Sequence, residues 1–325
     1  MPSTSVNLAG IQLRNPLIAA AGTCGYVSEL ADVLDPRCLG AIVTKSITRH
    51  PREGNPPWRI IDLPRANGML NAIGLANVGL DRFLNEKLPQ AQSIDTVIIG
   101  SIAGHSIDDY VAVAAAFDAA PQLPAVELNV SCPNTADGLQ FGEVASKLTE
   151  LLREVRPVLT RAKLIVKLSP NVGDIVSMAR AAINAGADAL TLINTVSAMA
   201  IDVHTRKTRL NGFNASNANS VNKPNASGGG GLSGPAIHPI AVRMVHDVYH
   251  KVARDANIPI IGLGGVMTWQ DAAELILAGA TAVGVGTALF VDPTLPRTIA
   301  KGLEQWINQQ KANSIADLIG AVQHA

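Results

Sequence analysis

The chain has 325 residues, with 26 Lys+Arg against 26 Asp+Glu. A net charge of zero argues against a binder of nucleic acid or of membrane surfaces, which needs a basic excess. Hydrophobic residues make up 47% and charged residues only 16%, against ~25% charged in an ordinary domain, which excludes disordered, collagen-like and coiled-coil classes and leaves material for a large core and a subunit interface. At ~150 residues per domain the length admits two domains, and it equally admits one α/β barrel of roughly 250 residues with insertions.

The first residues, VNLAGIQL, read as a strand pair outside the main sheet. Eight short apolar runs then follow, as buried parallel strands do: 17–21, 40–45, 96–101, 125–130, 164–169, 189–194, 258–263 and 281–286. Helical patterns separate most of them, at 143–156, 173–185, 235–254 and 270–278. Asp174 and Asp271 stand where first-turn acids belong, and AGAD at 185–188 and AGAT at 278–281 end helices on glycine. Eight strands alternating with helices predict a TIM (β/α)8 barrel, with an open doubly wound sheet as the alternative. The reading taken is one domain over 1–325, with insertions at 46–95 and 195–257 that leave the C-terminal face and wall the site there. The Asn/Ser/Gly-rich stretch 211–231 reads as a flexible surface excursion.

No basic n-region and apolar h-region opens the chain, so no secretory signal is read, and the apolar run 275–291 falls short of a membrane span and is broken by Gly279, Gly284 and Gly286. Cys24, Cys38 and Cys132 form no CxxC pair. That suits a reducing, cytoplasmic setting and offers no zinc or iron–sulfur ligand set. His246 and His250 are spaced i,i+4 with no third ligand, so no metal is expected.

Several residues suggest chemistry. Gly262, Gly264, Gly265, Gly284, Gly286 and Thr287 end the seventh and eighth runs, where barrels of this kind bind phosphate; phosphate binding is the favoured reading, with tight barrel turns as the alternative. The spacing Gly229, Gly231, Gly234 satisfies GxGxxG but follows a loop and not a strand, so it is no dinucleotide fingerprint. Lys45 and Lys167 close apolar runs; a buried lysine needs an anion, and for two on one barrel a bound anionic cofactor is favoured over a structural ion pair. Asn71, Asn129, Asn134 and Asn194, with Thr195, offer paired donors and acceptors that suit a ligand with an imide or amide edge. Cys132 sits in a polar loop after the fourth run, where a thiolate serves as nucleophile or base; Cys24 and Cys38 lie in apolar surroundings and read as core.

Together these segments resemble the catalytic subunit of dihydroorotate dehydrogenases over nearly the whole chain. They are TKSIT (44–48), HPREGNPPWRI (50–60), GMLNAIGLANVGL (68–80), ELNVSCPN (127–134), VKLSPNVGDIV (166–176), LTLINT (190–195), GGLSGPAI (230–237), PIIGLGGV (259–266) and AVGVGTALF (282–290). The resemblance implies a TIM barrel and FMN. It places Ala21, Gly22, Lys45, Ser46, Ser101, Asn129, Lys167 and Ile193 at the flavin, with Gly234, Gly264, Gly265, Gly286 and Thr287 at its phosphate. It places Lys45, Asn71, Ala72, Ile73, Gly74, Leu75, Asn129, Asn134, Asn194 and Thr195 at the substrate, and makes Cys132 the base. Many relatives carry Asn where this chain has Ser101. Cysteine at the base position implies the soluble class, since the membrane-bound class uses serine. NAIGL (71–75) and INTVSAMAIDVHTRKTR (193–209) resemble the NAD-linked type. The implied assembly is a homodimeric core in a heterotetramer, whose partner subunit carries FAD, a [2Fe–2S] cluster and the NAD site. Dihydropyrimidine dehydrogenase activity, a fumarate-linked enzyme and a non-catalytic flavin-binding subunit are the alternatives.

Overall fold

The structure is a computed structural model that describes residues 3–26, 28–29, 32–131, 141–210 and 228–323. Cys132, Asn134 and residues 211–227 of the Asn/Ser/Gly-rich stretch lie outside them. Eight parallel strands close a barrel: β1 Leu17–Ala19, β2 Ala41–Val43, β3 Val97–Ile102, β4 Ala125–Asn129, β5 Lys163–Leu168, β6 Ala189–Leu192, β7 Ile260–Leu263 and β8 Ala282–Val285. Each pairs with its neighbour in chain order, and β8 returns to β1 through Val283 opposite Leu17. This is the predicted TIM barrel, and each strand overlaps one of the eight apolar runs. The runs are continuous because helices cover the outer face while side chains fill the inner one.

The longer helices are α1 Ile107–Asp118, α2 Ala145–Val155, α3 Ile175–Asn184, α4 His238–Val248, α5 Trp269–Ala278 and α6 Leu295–Gln309. Their starts follow from local chemistry. Ser106 Oγ accepts the Asp109 amide, Asp174 accepts the Val176 and Ser177 amides, and Thr268 with Asp271 forms a capping box. In α2 the buried residues Leu148, Leu151, Leu152 and Val155 keep the i, i+3, i+4, i+7 spacing of one helix face. Each such leucine contributes about 1.5–3 kcal/mol by leaving water. The strand pair Val6–Leu8 and Ile11–Leu13 is an antiparallel hairpin, and its Gly10 lies against Lys163 at the start of β5, the N-terminal end of the barrel. No helix among the described residues is long and apolar enough to cross a membrane.

At the opposite end, the two insertions join. Ile60–Leu63 and Gly68–Asn71 come from the first, Val196–Ala198 and Gly230–Ser233 from the second. They form one four-stranded antiparallel sheet, with Gly68–Asn71 paired to Gly230–Ser233 at its centre. Sequence reading placed both insertions on this face but gave no sign that they form one sheet.

Candidate active site

The C-terminal ends of the barrel strands and the insertion sheet enclose a cavity of about 530 Å³, within the usual range of cofactor pockets. Lys167 from β5, Leu263 from β7 and Ile193 just past β6 line it from the barrel. Ala21 and Gly22 after β1, and Lys45 after β2, form one side. Met69, Asn71 and Ser233 face it from the insertion sheet, with Arg59 and Ile60 beside them. Gly234, Gly264, Gly265, Gly286 and Thr287 line its far end.

That far end has the character of an anion site. The backbone N–H groups of Gly264, Gly265, Gly286 and Thr287 have no acceptor among the described residues, and such groups converging at strand ends attract phosphate. Gly265 has φ +71°, and a Cβ there would stand 2.7 Å from His238 Cβ and 2.9 Å from the Gly234 carbonyl, so the close turn requires glycine. His238 Nδ1 donates to the Gly264 carbonyl at 2.7 Å, and Thr287 Oγ1 donates to Ser233 Oγ at 2.7 Å, which holds the loops in place.

Lys167 is buried, and its side chain has no hydrogen-bond or ion-pair partner among the described residues. An ammonium in that position is costly unless an anion meets it. Burial, and then the nearby Arg59 charge, hold the Lys45 ammonium below the usual lysine range. Two lysines with a row of free amides fit a group that is planar, anionic at one end and gains charge at the other. FMN has this character.

A second cavity of about 300 Å³ adjoins the first and shares Ala21, Gly22, Lys45, Asn71, Ile73, Asn194 and Thr195 with it. Its own lining adds Ser46, Gly74, Leu75, Asn129 and Ser131. The amides here are knitted together. Asn194 Nδ2 donates to Asn129 Oδ1 at 3.2 Å and to Ser131 Oγ at 2.9 Å, and Asn129 Nδ2 donates to Ser46 Oγ at 3.4 Å. One wall is the segment 72–75. Asn55 Nδ2 donates to the Ala72 carbonyl, the Asn55 amide donates to that of Ile73, and Asn77 Nδ2 donates to that of Leu75. With these carbonyls engaged, the N–H groups of Ile73, Gly74 and Leu75 have no acceptor among the described residues. Gly74 and Leu75 have φ +72° and +59°, a turn whose free amides suit a carboxylate. A left-handed leucine is uncommon and marks strain held by its surroundings.

The structure thus gathers most of the residues singled out in the sequence. Ser101 and Ala72 do not line either cavity: Ser101 is buried and shares a 2.9 Å hydrogen bond with Ser46 Oγ, while the Ala72 carbonyl is engaged by Asn55. Arg59, Met69, Ser131 and Ser233 were not singled out. No period or composition marks them; Arg59 is positioned by donating to the Glu53 and Asn55 carbonyls at 3.1 and 3.0 Å, a purely tertiary arrangement.

The family model described as dihydroorotate dehydrogenase matches residues 3–307. The chain belongs to the dihydroorotate dehydrogenase family. It is 45% identical over 323 residues, covering 99% of both chains, to a protein of Citrifermentans bemidjiense named dihydroorotate dehydrogenase B (NAD(+)), catalytic subunit. Proteins of the same name from Geotalea daltonii and Bacteroides fragilis are 46% and 41% identical, over 99% of this chain and 98% and 100% of their own. The smaller cavity offers free backbone amides and a cluster of side-chain amides, a set that suits a carboxylate beside a cyclic imide.

Proposed function

We propose that this chain oxidises (S)-dihydroorotate to orotate in pyrimidine biosynthesis, as the FMN-bearing catalytic subunit of an NAD-linked dihydroorotate dehydrogenase. The observation that carries the reading is the pair of joined cavities. One has free amides at its far end and lysines along its wall, and the other has amide side chains and a carboxylate-type turn. Lys45 and Asn194 belong to both. A cofactor and a substrate held there would be in contact.

Gly234, Gly264, Gly265, Gly286 and Thr287 would hold the FMN phosphate, and Ala21, Gly22, Lys45, Lys167 and Ile193 would surround its ring. FMN, when bound, supplies the acceptor for the hydride leaving C6 of dihydroorotate. The amides of Ile73 to Leu75 bind the substrate carboxylate, and Asn71, Asn129, Asn194 and Asn134 with Thr195 orient the pyrimidine ring. Cys132 Sγ takes the proton from C5. A thiolate suits that task because its ordinary pKa, ~8.5, lies near working pH. The lysine charges favour a cofactor that becomes more negative on reduction.

The relatives' name, catalytic subunit, supports a partner to which electrons leave. Phe290 and Ile60 at the cavity edge, and Trp58 two residues before Ile60, are exposed apolar residues, at 54%, 40% and 74%; exposed apolar surface of this kind suits a protein interface. An FAD and [2Fe–2S] subunit is the partner of this reading, with a homodimer of this chain at the core of a heterotetramer. The test is the absorbance of the purified chain under anaerobic conditions. Bound FMN that bleaches on adding dihydroorotate, and not on adding dihydrouracil, supports the reading; protein without flavin, or flavin that ignores dihydroorotate, overturns it.

A further inference from the structure

Among the described residues a single carboxylate is buried, Glu127 at 1% exposure, and a single lysine, Lys167 at 6%. They lie on the adjacent strands β4 and β5, and both face the inside of the barrel. Lys167 lines the larger cavity, and Glu127 stands two residues before Asn129, which lines the smaller one. Glu127 is opposite Ile165, and Thr191 on β6 is opposite Lys167. The hydrogen bond from Thr191 Oγ1 to Glu127 Oε2, 2.8 Å long, therefore spans β5, the strand that carries Lys167. The other carboxylate oxygen, Oε1, is buried and makes no hydrogen bond.

A lone buried charge of either sign is costly, and these two, the one buried carboxylate and the one buried lysine among the described residues, lie on neighbouring strands and face the same way. They form no direct ion pair, but in a medium far less polar than water a charge is felt beyond contact distance. We propose that the Glu127 carboxylate serves as a positioning residue for the flavin, acting through Lys167; the proposal rests on the FMN reading above. Its carboxylate offsets part of the ammonium's charge from the neighbouring strand. Electrons arriving on the flavin then meet a weaker positive field than Lys167 alone would set. Removing the carboxylate strengthens that field and makes the flavin easier to reduce.

The test is the midpoint potential of FMN in the loaded chain, measured by equilibration with a reference dye. In Glu127→Gln, which keeps an acceptor for Thr191, the ratio of reduced to oxidised flavin at a fixed solution potential rises about tenfold, a shift of about 30 mV for a two-electron couple. Glu127→Met, of similar length and without charge, shifts the potential in the same direction, and in a Lys167→Met background the Glu127→Gln shift is smaller. A purely structural Glu127 would lower the thermal midpoint and leave the potential alone. Two variants that bind FMN at the wild-type potential overturn the proposal. So does a protonated buried carboxyl band in the infrared spectrum of the wild type at neutral pH, a measurement that needs no variant to fold. A wild-type chain that takes up no FMN defeats the flavin reading and this proposal with it, whereas an unchanged potential in flavin-loaded variants defeats this proposal alone.

Discussion

Asn71 Nδ2 donates to the carbonyl of Gly231, 160 residues further along the chain, at 3.2 Å. The donor belongs to the first insertion and the acceptor to the second, and Asn71 also lines both cavities. A side chain that the reading assigns to the substrate is thus anchored by the contact that joins the two halves of the roof. Its amide oxygen is left for a ligand. Asn71→Ala removes the anchor and the ligand contact together, while Asn71→Asp keeps the shape and loses the donor.

Replacing Cys132 with Ala is expected to leave FMN bound and slow flavin reduction by dihydroorotate ~10²–10⁴-fold, the usual worth of a positioned base. Cys132→Ser should retain a little activity with a higher pH optimum, since a hydroxyl is a far weaker acid. Stopped-flow bleaching of the flavin absorbance measures both; wild-type reduction by Cys132→Ala removes the base assignment.

Lys167→Ala should weaken FMN retention or lower the flavin potential, because a positive charge at the ring favours its reduced, more negative form. Full occupancy at an unchanged potential, measured on the same preparation, contradicts this role.

Gly265→Ala forces a Cβ to within 2.7 Å of His238 Cβ at a φ of +71°. Left-handed backbone with a side chain costs on the order of 1–3 kcal/mol, which corresponds to roughly a five- to 150-fold loss if it is taken from cofactor binding. FMN titration of the apoprotein should show that weakening while circular dichroism shows an intact barrel. Unaltered FMN affinity would free this turn from the phosphate site.

Burial and Arg59 lower the Lys45 pKa, so its proton is lost at a lower pH than the usual ~10.4. An anion bound beside it favours the charged form and raises that pKa. Between the free and the bound value, binding takes up a proton, and orotate affinity falls as pH rises, by up to about tenfold per unit. Below both values Lys45 is charged in either state and contributes no slope. Orotate titrations across the alkaline range should show this slope in the wild type and lose it in Lys45→Met; equal slopes in the two would exclude Lys45 as its source.

The acceptor prediction concerns what the chain lacks in sequence: no Rossmann fingerprint and three scattered cysteines, against the four ligands an iron–sulfur cluster needs. The isolated chain should reduce artificial dyes with dihydroorotate and fail to reduce NAD, and co-expression with an iron–sulfur flavoprotein partner should restore NAD reduction. Rapid NAD reduction by the chain alone, or efficient turnover with fumarate, contradicts the NAD-linked assembly.

The barrel was legible because each of its strands is an apolar run such as LIVKL, buried on both faces and punctuated by glycine. The roof was not. GMLN and GGLS are four residues each, half-buried and glycine-containing, and their pairing depends on partners far away in the chain. Lys45 and Lys167 stood out because charge within an apolar run needs an explanation. Glu127, within AVELNV, carries the same anomaly, but only the register reveals that it faces inward on the strand beside that of Lys167. Arg59 had no local signature, and Ser101 was drawn to the flavin by resemblance, while the structure sets it behind Ser46.

The sheet above the cavities is assembled from both ends of synthesis. Ile60–Leu63 and Gly68–Asn71 leave the ribosome early, and Gly230–Ser233 leaves after more than half of the barrel. Until then the first pair carries an open edge where Gly68–Asn71 will later meet its neighbour, the kind of edge that invites wrong pairing. Covering that edge and completing the chamber are one event. Nascent chains halted before Gly230 should therefore be unable to retain flavin, and they should depend on chaperones in a way that the finished chain does not.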